Sequence, residues 1–340
     1  MSYAMILSLL AVAGGLVVLV WGADRFVSGA SATASNLGVS PLIIGLTIVG
    51  IGTSAPEILV SIVAAWQGNP SLAVGNAIGS NITNIGLVLG CTALLMPLVV
   101  KSDTLRREYP LMFLVMLVSL AVLADGHLGV LDGVILLLGL GLVLFWIVRL
   151  SRSKQRRAPP EADLLEQDPQ EPDPLEQEFA SEIPHMSTRW ALFWVLFGLL
   201  ILLLGSRLLV WGAVNIAAAL GVSDLVIGLT IVAIGTSLPE LAASVISALK
   251  NEPDIAIGNV LGSNMFNLLV VLGLPGLIAP HVLDSAVLSR DFPVMIVLSV
   301  ALFAVSYGFR GHGRITRVEG GLLLGAYFAY LGLLYWQIGA

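Results

Sequence analysis

GTSAPE at residues 52–57 returns as GTSLPE at residues 235–240. A second segment, GNAIGSNITN at residues 75–84, returns as GNVLGSNMFN at residues 258–267. Both pairs are separated by the same offset of 183 residues. Each segment places polar side chains inside a long apolar stretch, where such side chains are rare and usually functional. We therefore expect these four segments to decide both the fold and the activity.

The duplication extends well beyond these motifs. Residues 37–90 align without a gap on residues 220–273, and 30 of the 54 positions are identical. Self-similarity of this length indicates that the chain is built from two copies of one structural unit. We assign the first copy to residues 1–149 and the second copy to residues 190–340.

The composition excludes a soluble protein. Of the 340 residues, 57% are hydrophobic and 11% are charged, whereas soluble domains carry about 25% charged residues. Apolar runs of about 20 residues, each long enough to span a bilayer as a helix, recur ten times. We therefore predict an all-α membrane protein with ten transmembrane helices. The predicted spans are residues 4–24, 38–65, 72–98, 108–124, 129–149, 190–210, 221–249, 255–280, 291–309 and 316–337.

One polar stretch, residues 150–189, separates the two copies. It combines a basic cluster with nine acidic residues between Glu161 and Glu182 and with six prolines. A segment of this composition cannot bury enough apolar surface to fold by itself. We therefore predict a disordered linker.

The basic residues predict the orientation in the membrane, because cytoplasmic loops are enriched in Lys and Arg. With ten spans and the linker inside, fourteen of the 16 Lys and Arg residues lie at cytoplasmic ends, and only Arg207 and Arg290 lie outside. The pattern predicts a multi-pass protein of the cytoplasmic (inner) membrane with both termini outside the cytoplasm.

Each copy contains five predicted spans. Because five is odd, the second copy enters the membrane from the opposite side, and the two repeats have inverted topology. Secondary transporters are commonly built in this way, with the substrate site near the bilayer midplane between the repeats.

Two glutamates, Glu57 and Glu240, occupy equivalent places deep in spans 2 and 7. A charge at the centre of a membrane costs at least about 2.5–3.5 kcal/mol. Two carboxylates that meet there repel each other unless a cation or a proton lies between them. We therefore interpret the pair as a cation or proton site, with a protonated structural pair as the alternative.

The residues around the glutamates are rich in oxygen. Pro56 and Pro239 lack an N–H and open the preceding helical turn, which frees backbone carbonyls there. Spans 3 and 8 carry Asn and Ser at steps of four, so that these side chains share one helix face; as an alternative, they serve only to bind helices together. The polar residues that we single out in the four motifs are Thr53, Ser54, Thr236, Ser237, Asn76, Ser80, Asn84, Asn259, Ser263 and Asn267, with Asn81 and Asn264 beside them.

This set of candidate ligands contains no His or Cys, which disfavours Zn²⁺ and Cu⁺. Carboxylate, hydroxyl, amide and carbonyl oxygens suit Ca²⁺, which accepts six to eight of them in flexible geometry, better than Mg²⁺. Na⁺ can use the same oxygens. Competition between the two cations for one pair of carboxylates is the simplest basis for antiport.

The paired GTS-x-PE and G-x-x-x-G-S-N motifs resemble the two alpha repeats of the calcium/cation antiporter superfamily, most closely the prokaryotic sodium/calcium exchangers. The resemblance covers nearly all ten spans but not the linker. It implies ten helices, outside termini and alternating access. It also implies that spans 1 and 6 slide across the other helices, helped by Gly14, Gly15, Gly22, Gly198 and Gly205.

The resemblance also assigns roles to the motif residues. Glu57 and Glu240 would be the central Ca²⁺ ligands, shared with Na⁺, and Thr53 and Thr236 would add backbone carbonyls. Asn267 departs from the pattern, because many relatives have an aspartate there. The residues that would line the Na⁺ sites are Ser54, Ser237, Ser80 and Ser263, and Asn84 matches the asparagine of the family.

The predicted function is therefore Ca²⁺/Na⁺ exchange, with Ca²⁺ and Na⁺ bound as substrates, no cofactor, no nucleic acid, and the lipid bilayer as surroundings. Ca²⁺/H⁺ exchange and K⁺-dependent exchange remain alternatives. The reason is that this site has two acids, whereas the relatives with an aspartate at the position of Asn267 have three. A channel is disfavoured because an inverted repeat favours alternation over a continuous pore. An enzyme is disfavoured because no nucleophile or His accompanies the glutamates.

Overall fold

The computed structural model describes residues 3–38, 50–100, 105–155, 184–249, 253–306 and 313–338. These residues are almost entirely helical. In the first half the helices are α1 (Tyr3–Asn36), α2 (Gly50–Thr53), α3 (Ala55–Trp66), α4 (Pro70–Thr83), α5 (Gly90–Leu95), α6 (Leu105–Leu123) and α7 (Val130–Gln155). In the second half they are α8 (Thr188–Leu220), α9 (Asp224–Ile227), α10 (Ala233–Thr236), α11 (Leu238–Leu249), α12 (Pro253–Phe266), α13 (Gly273–Ile278), α14 (Phe292–Ser306) and α15 (Arg317–Ile338).

Several of these helices are long and apolar enough to cross a membrane, which confirms the predicted helical membrane class. Six helical stretches of the described chain meet this condition, and α9 to α11 form a seventh as a pair of helices bent by 42°. The described chain also holds three shorter apolar helices, Ala55–Trp66, Glu108–Leu123 and Val130–Phe145.

The predicted linker, residues 150–189, lies mostly outside the described residues. Helix α7 continues through its first part to Gln155, and α8 begins at Thr188, near its end. The first of the two self-similar segments, the alpha-1 motif at residues 37–90, is likewise described only in part, because residues 39–49 lie outside the described ranges.

The centre of the molecule is formed by the third helical stretch of each repeat. The stretches Pro70–Leu95 and Ile255–Ile278 are 78% and 72% buried in their most apolar portion, against 28% for α1 and 33% for α8. Both central stretches contain a π-helical segment, Asn84–Leu89 in the first and Asn267–Val271 in the second. Because π-helical turns disturb the regular hydrogen-bond ladder, they often mark functional positions.

Helices α1 and α8 pack against each other along their length. In α1, a Cβ at Gly15 would lie 2.7 Å from the backbone N of Leu209, and in α8 a Cβ at Gly198 would lie 2.5 Å from that of Phe26. Small residues therefore permit backbone-to-backbone approach. They recur every seven residues at the contact, as Ser8, Gly15, Gly22 and Gly29 in α1 and as Ala191, Gly198, Gly205 and Gly212 in α8.

The glycines that the family resemblance links to sliding face this pair contact rather than the rest of the protein. The pair touches the motif helices through other side chains. A Cβ at Gly52 would meet Val27 of α1 at 2.1 Å, and a Cβ at Gly235 would meet Leu16 of α1 at 2.3 Å. Helix α1 therefore lies directly on the glycines of both GTS-x-PE motifs.

Two small antiparallel sheets, which the sequence did not predict, tie the repeats together. Strand β1 (Leu98–Val100) pairs with β4 (Gly313–Ile315), and β2 (His127–Leu128) pairs with β3 (His281–Val282). Each sheet joins residues that are more than 150 positions apart, so no local sequence pattern predicts the pairing.

Candidate cation site between the repeats

The two glutamates lie at equivalent helix breaks. The chain interrupts its helix at Ser54, with φ −87° and ψ 4°, and at Ser237, with φ −82° and ψ 3°. These angles fall in the sparsely populated bridge region. In each case the next helix starts with a proline at its second position, where the missing N–H costs nothing.

Glu57 is the third residue of α3, and Glu240 is the third residue of α11. Both side chains have no solvent exposure. A helix N-terminus carries a partial positive charge, which stabilises a carboxylate in the first turn. The sequence pattern Pro-Glu after a helix break thus places each buried acid where the backbone partly offsets its charge.

Hydroxyl groups from both repeats reach Glu240. Its Oε1 accepts hydrogen bonds from Ser54 Oγ at 3.4 Å and from Ser263 Oγ at 3.3 Å. Ser54 belongs to the first motif, three residues before Glu57, while Ser263 belongs to α12. The contact therefore crosses the repeat interface and brings the two GTS-x-PE motifs to one place.

A second connection runs through Asn76 of α4. Its Nδ2 donates to the backbone O of Glu57 at 3.2 Å and to Ser61 Oγ at 3.1 Å. Its Oδ1 accepts from Thr236 Oγ1 at 3.2 Å, and Thr236 Oγ1 also lies 3.5 Å from Ser80 Oγ. Asn76 thus holds the Glu57 backbone against the second GTS-x-PE motif. From the sequence, Asn76 was a candidate either for a cation ligand or for a contact between helices.

Several buried oxygens around this centre have no hydrogen-bond partner within the described part of the chain. Buried polar atoms without partners cost about 1–3 kcal/mol each, so such a concentration requires an explanation. A hard cation that binds oxygen would satisfy many of them at once. These atoms are Glu57 Oε1 and Oε2, Glu240 Oε2, Ser237 Oγ, Asn81 Oδ1, Asn84 Oδ1 and Asn267 Oδ1.

The structure places the ten predicted site residues as follows. Hydrogen bonds join Ser54, Glu240 and Ser263, and contact at 3.5 Å joins Ser80 to Thr236. Thr53 is half-buried at the end of α2, and Ser237 and Asn267 are buried. Glu57 is linked to this network through its backbone and Asn76, and Asn84 bonds to Asn264, which was not among the predicted ligands.

The charge of the site comes from its two carboxyl groups. Across the described ranges, no three His, Cys, Asp or Glu side chains form a cluster that could hold a metal ion. The remaining oxygens are hydroxyls and amides, which are neutral. Such a site suits a weakly held, exchangeable Ca²⁺ or Na⁺ better than a permanently bound transition metal.

Comparison with known proteins identifies the family of this chain. The family model described as sodium/calcium exchanger protein matches residues 7–149 and 190–336. The putative antiporter CaxA of Alkalimonas amylolytica is 52% identical over 94% of this chain and 96% of its own length. The inner membrane protein YrbG of Escherichia coli (strain K12) is 43% identical over 95% of each chain.

A solved structure is also similar. The sodium-calcium exchanger NCX_Mj, soaked with Na⁺ and Sr²⁺, superposes with a TM-score of 0.60 at 32% identity, over 96% of this chain and 98% of that one. The family match spans most of the chain, on both sides of the predicted linker. The chain therefore belongs to the sodium/calcium exchanger family, whose members are membrane transporters rather than enzymes, as the motifs predicted.

Proposed function

We propose that this protein is a secondary active antiporter that exchanges Ca²⁺ for Na⁺ by alternating access. The observation that carries the proposal is the set of buried oxygens without partners around Glu57 and Glu240, contributed by both repeats. Three of the four carboxylate oxygens belong to this set. A cation that binds between the repeats would satisfy oxygens of both, so its arrival and departure would be coupled to how the repeats sit together.

The charge balance explains exchange. Two carboxylates need two positive charges, which one Ca²⁺ supplies, and Na⁺ ions supply the same charge one at a time. Without a cation, two anions share a buried place, and this state is unfavourable. The protein therefore switches the opening of the site from one side of the membrane to the other only when the site holds one substrate or the other. This is the condition for antiport.

We assign the ligands by role. The carboxylates of Glu57 and Glu240 are the shared ligands, and backbone carbonyls at Thr53 and Thr236 add to them. No cofactor is needed, because the transported cations themselves satisfy the site. The hydroxyl and amide ligands are Ser54, Ser237, Ser80, Ser263, Asn84 and Asn267.

The architecture that goes with this function is ten spans in two inverted five-helix repeats. The matching helix breaks at Ser54 and Ser237 support the repeat, as do the π-helical segments that begin at Asn84 and Asn267. The three shorter apolar helices would complete the ten spans. With the basic residues inside, the protein would lie in the cytoplasmic (inner) membrane with residues 150–189 in the cytoplasm and both termini outside.

The test is ⁴⁵Ca²⁺ uptake by liposomes that contain the purified protein. Vesicles loaded with Na⁺ and diluted into Na⁺-free buffer should accumulate ⁴⁵Ca²⁺, and vesicles without a Na⁺ gradient should not. Parallel arms replace the Na⁺ gradient by a pH gradient or add K⁺. Uptake that follows only the pH gradient would show Ca²⁺/H⁺ exchange, and uptake that requires K⁺ would show K⁺-dependent exchange.

A further inference from the structure

Four buried asparagines lie together where the central helices of the two repeats meet. Asn81 and Asn84 belong to the first repeat, and Asn264 and Asn267 belong to the second, with no more than 2% of any of these side chains exposed. The offset of 183 residues relates Asn81 to Asn264 and Asn84 to Asn267. Asn84 and Asn267 each begin a π-helical segment.

One side-chain hydrogen bond orients Asn84. Its Nδ2 donates to Asn264 Oδ1 at 3.1 Å, while its own Oδ1 is buried without a partner. A side-chain amide has a donor end and an acceptor end. Because Asn264 holds the donor end, the acceptor end must point the other way, as a free oxygen of the kind that Ca²⁺ and Na⁺ bind.

Asn264 is itself held in place. Its backbone O accepts from Asn81 Nδ2 at 3.2 Å, and the same Nδ2 lies 3.4 Å from Met295 Sδ in α14. The backbone of Asn264 is therefore held by Asn81, a residue of the central helix of the other repeat, and Asn81 in turn contacts Met295. An acceptor on a held backbone determines which end of the Asn84 amide faces away.

The equivalent bond on the other side of the repeat is not formed. Repeat symmetry would pair Asn267 Nδ2 with Asn81 Oδ1, yet both atoms are buried without partners. The two repeats thus differ in one respect: the Asn84 amide is oriented and the Asn267 amide is not. Generic packing of helices by polar side chains would not require this difference between equivalent residues.

We infer that Asn264 is a positioning residue that presents Asn84 Oδ1 to the transported cation, which makes it part of cation selection without touching the cation. The inference rests on the proposed function, since it concerns the same site. Residues that orient a ligand commonly contribute to affinity although they make no bond to the ion. Asn264 acts entirely through Asn84, and this property can be tested.

The experiment is a double-mutant cycle on the full-length protein. Ca²⁺ binding is measured as the concentration that gives half of the Ca²⁺-induced rise in melting temperature in detergent, and transport as the half-saturating Ca²⁺ concentration in liposomes. Asn264→Ala should raise both by about five-fold, which is the loss of one ordinary hydrogen bond. The maximal transport rate should change little, because α1 and α8, the helices that the family resemblance links to sliding, are not altered.

The second substitution of the cycle is made at Asn84 and removes the need to orient its side chain. In Asn84→Asp, both ends of the side chain are oxygen, so adding Asn264→Ala should produce no further rise. In Asn84→Ala, no ligand remains to be oriented, and Asn264→Ala should again add nothing. If the Asn84→Ala protein binds Ca²⁺ too weakly to measure, the comparison is made in the Asn84→Asp protein alone.

An equal five-fold loss in every background would overturn the inference, because it would show that Asn264 acts independently of Asn84. So would unchanged Ca²⁺ binding in Asn264→Ala. Asn264→Ser, whose shorter side chain also loses the bond, replaces the alanine variant where the latter does not fold. An unsubstituted protein that Ca²⁺ stabilises but that shows no Na⁺-driven uptake would contradict only the proposed antiport, and one without Ca²⁺ stabilisation would contradict both.

Discussion

At the scale of single residues, the candidate site works against stability. Glu57 and Glu240 are completely buried, and only one of their four carboxylate oxygens has hydrogen-bond partners in the described chain. Like charges and desolvation both disfavour this arrangement in the absence of a cation. Such strain at a functional site is a common cost of activity.

We expect Glu57→Gln to raise the melting temperature of the cation-free protein, by about 2 °C or more, while it abolishes stabilisation by Ca²⁺. The amide removes one of two neighbouring buried charges and with it half of the charge that attracts Ca²⁺. Thermal unfolding with and without Ca²⁺ measures both effects.

Glu319→Gln is the matched control. Glu319 Oε2 accepts from Thr316 N at 2.7 Å and so caps the start of α15, away from the site. Its replacement should leave Ca²⁺ stabilisation intact and should not raise the melting temperature. If Glu57→Gln kept the full response to Ca²⁺, Glu57 could not be a central ligand.

At the scale of elements, the contact between α1 and α8 depends on glycine. We expect Gly198→Ala to lower the free energy of unfolding by about 1–3 kcal/mol, the usual cost of overpacking. The added Cβ would lie 2.5 Å from the backbone N of Phe26, which cannot move aside like a flexible side chain. Thermal or denaturant unfolding in detergent provides the measurement.

Gly141→Ala makes the same chemical change where nothing lies within 4 Å of the new Cβ. It should be neutral or stabilising, because alanine favours helix over glycine by about 1 kcal/mol. Equal losses at Gly198 and Gly141 would contradict the close packing of α1 on α8.

One strand of each small sheet is related to the other by the repeat, and the two strands begin with different residues. The offset of 183 residues relates Leu98 of β1, which is fully buried, to His281 of β3. His281 Nδ1 donates to Ala279 O at 3.0 Å, and its Nε2 is buried without a partner among the described residues. Burial lowers the pKa of His281, so that the folded protein favours the neutral ring.

This lowered pKa gives stability a pH dependence with a definite sign. Below the ordinary histidine pKa of about 6.5, the unfolded chain binds a proton that the folded protein binds less readily, so stability falls as pH decreases. We expect the melting temperature to fall less between pH 8 and pH 5 in His281→Leu than in the unsubstituted protein. His127→Gln, at an exposed position of the same sheet, should keep most of the dependence, because burial contributes more than the charge of His127 to the lowered pKa of His281. Identical curves for all three proteins would be evidence against a role for His281.

At the scale of the whole molecule, the proposed topology places residues 2 and 340 outside and residue 170 in the cytoplasm. Cys91 is the only cysteine, so a Cys91→Ser background allows single cysteines to be placed at will. In right-side-out vesicles, a membrane-impermeant maleimide should label Ser2→Cys and Ala340→Cys but should label Gln170→Cys only after permeabilisation. Termini on opposite sides would mean an odd number of spans and would exclude two inverted five-helix repeats.

The sequence predicted those features that local patterns encode. Hydropathy predicted a helical membrane protein, and the duplicated motifs predicted the family of exchangers. The Pro-Glu pairs pointed to helix breaks with an acid in the next turn, which the structure has at Ser54 and Ser237. The roles of Glu57 and Glu240 as ligands stay a prediction until binding is measured.

Other features follow only from the tertiary structure. That Ser54 donates to Glu240, that Asn264 holds Asn84, and that Gly198 faces Phe26 are facts about residues roughly 170–190 positions apart. Hydropathy and helical period report how a residue relates to its nearest neighbours, because those patterns arise from local geometry. Which atoms meet across two repeats is decided by how whole helices pack, so the sequence by itself determined the class, the duplication and the candidate acids, and the packing decided which partners each of them has.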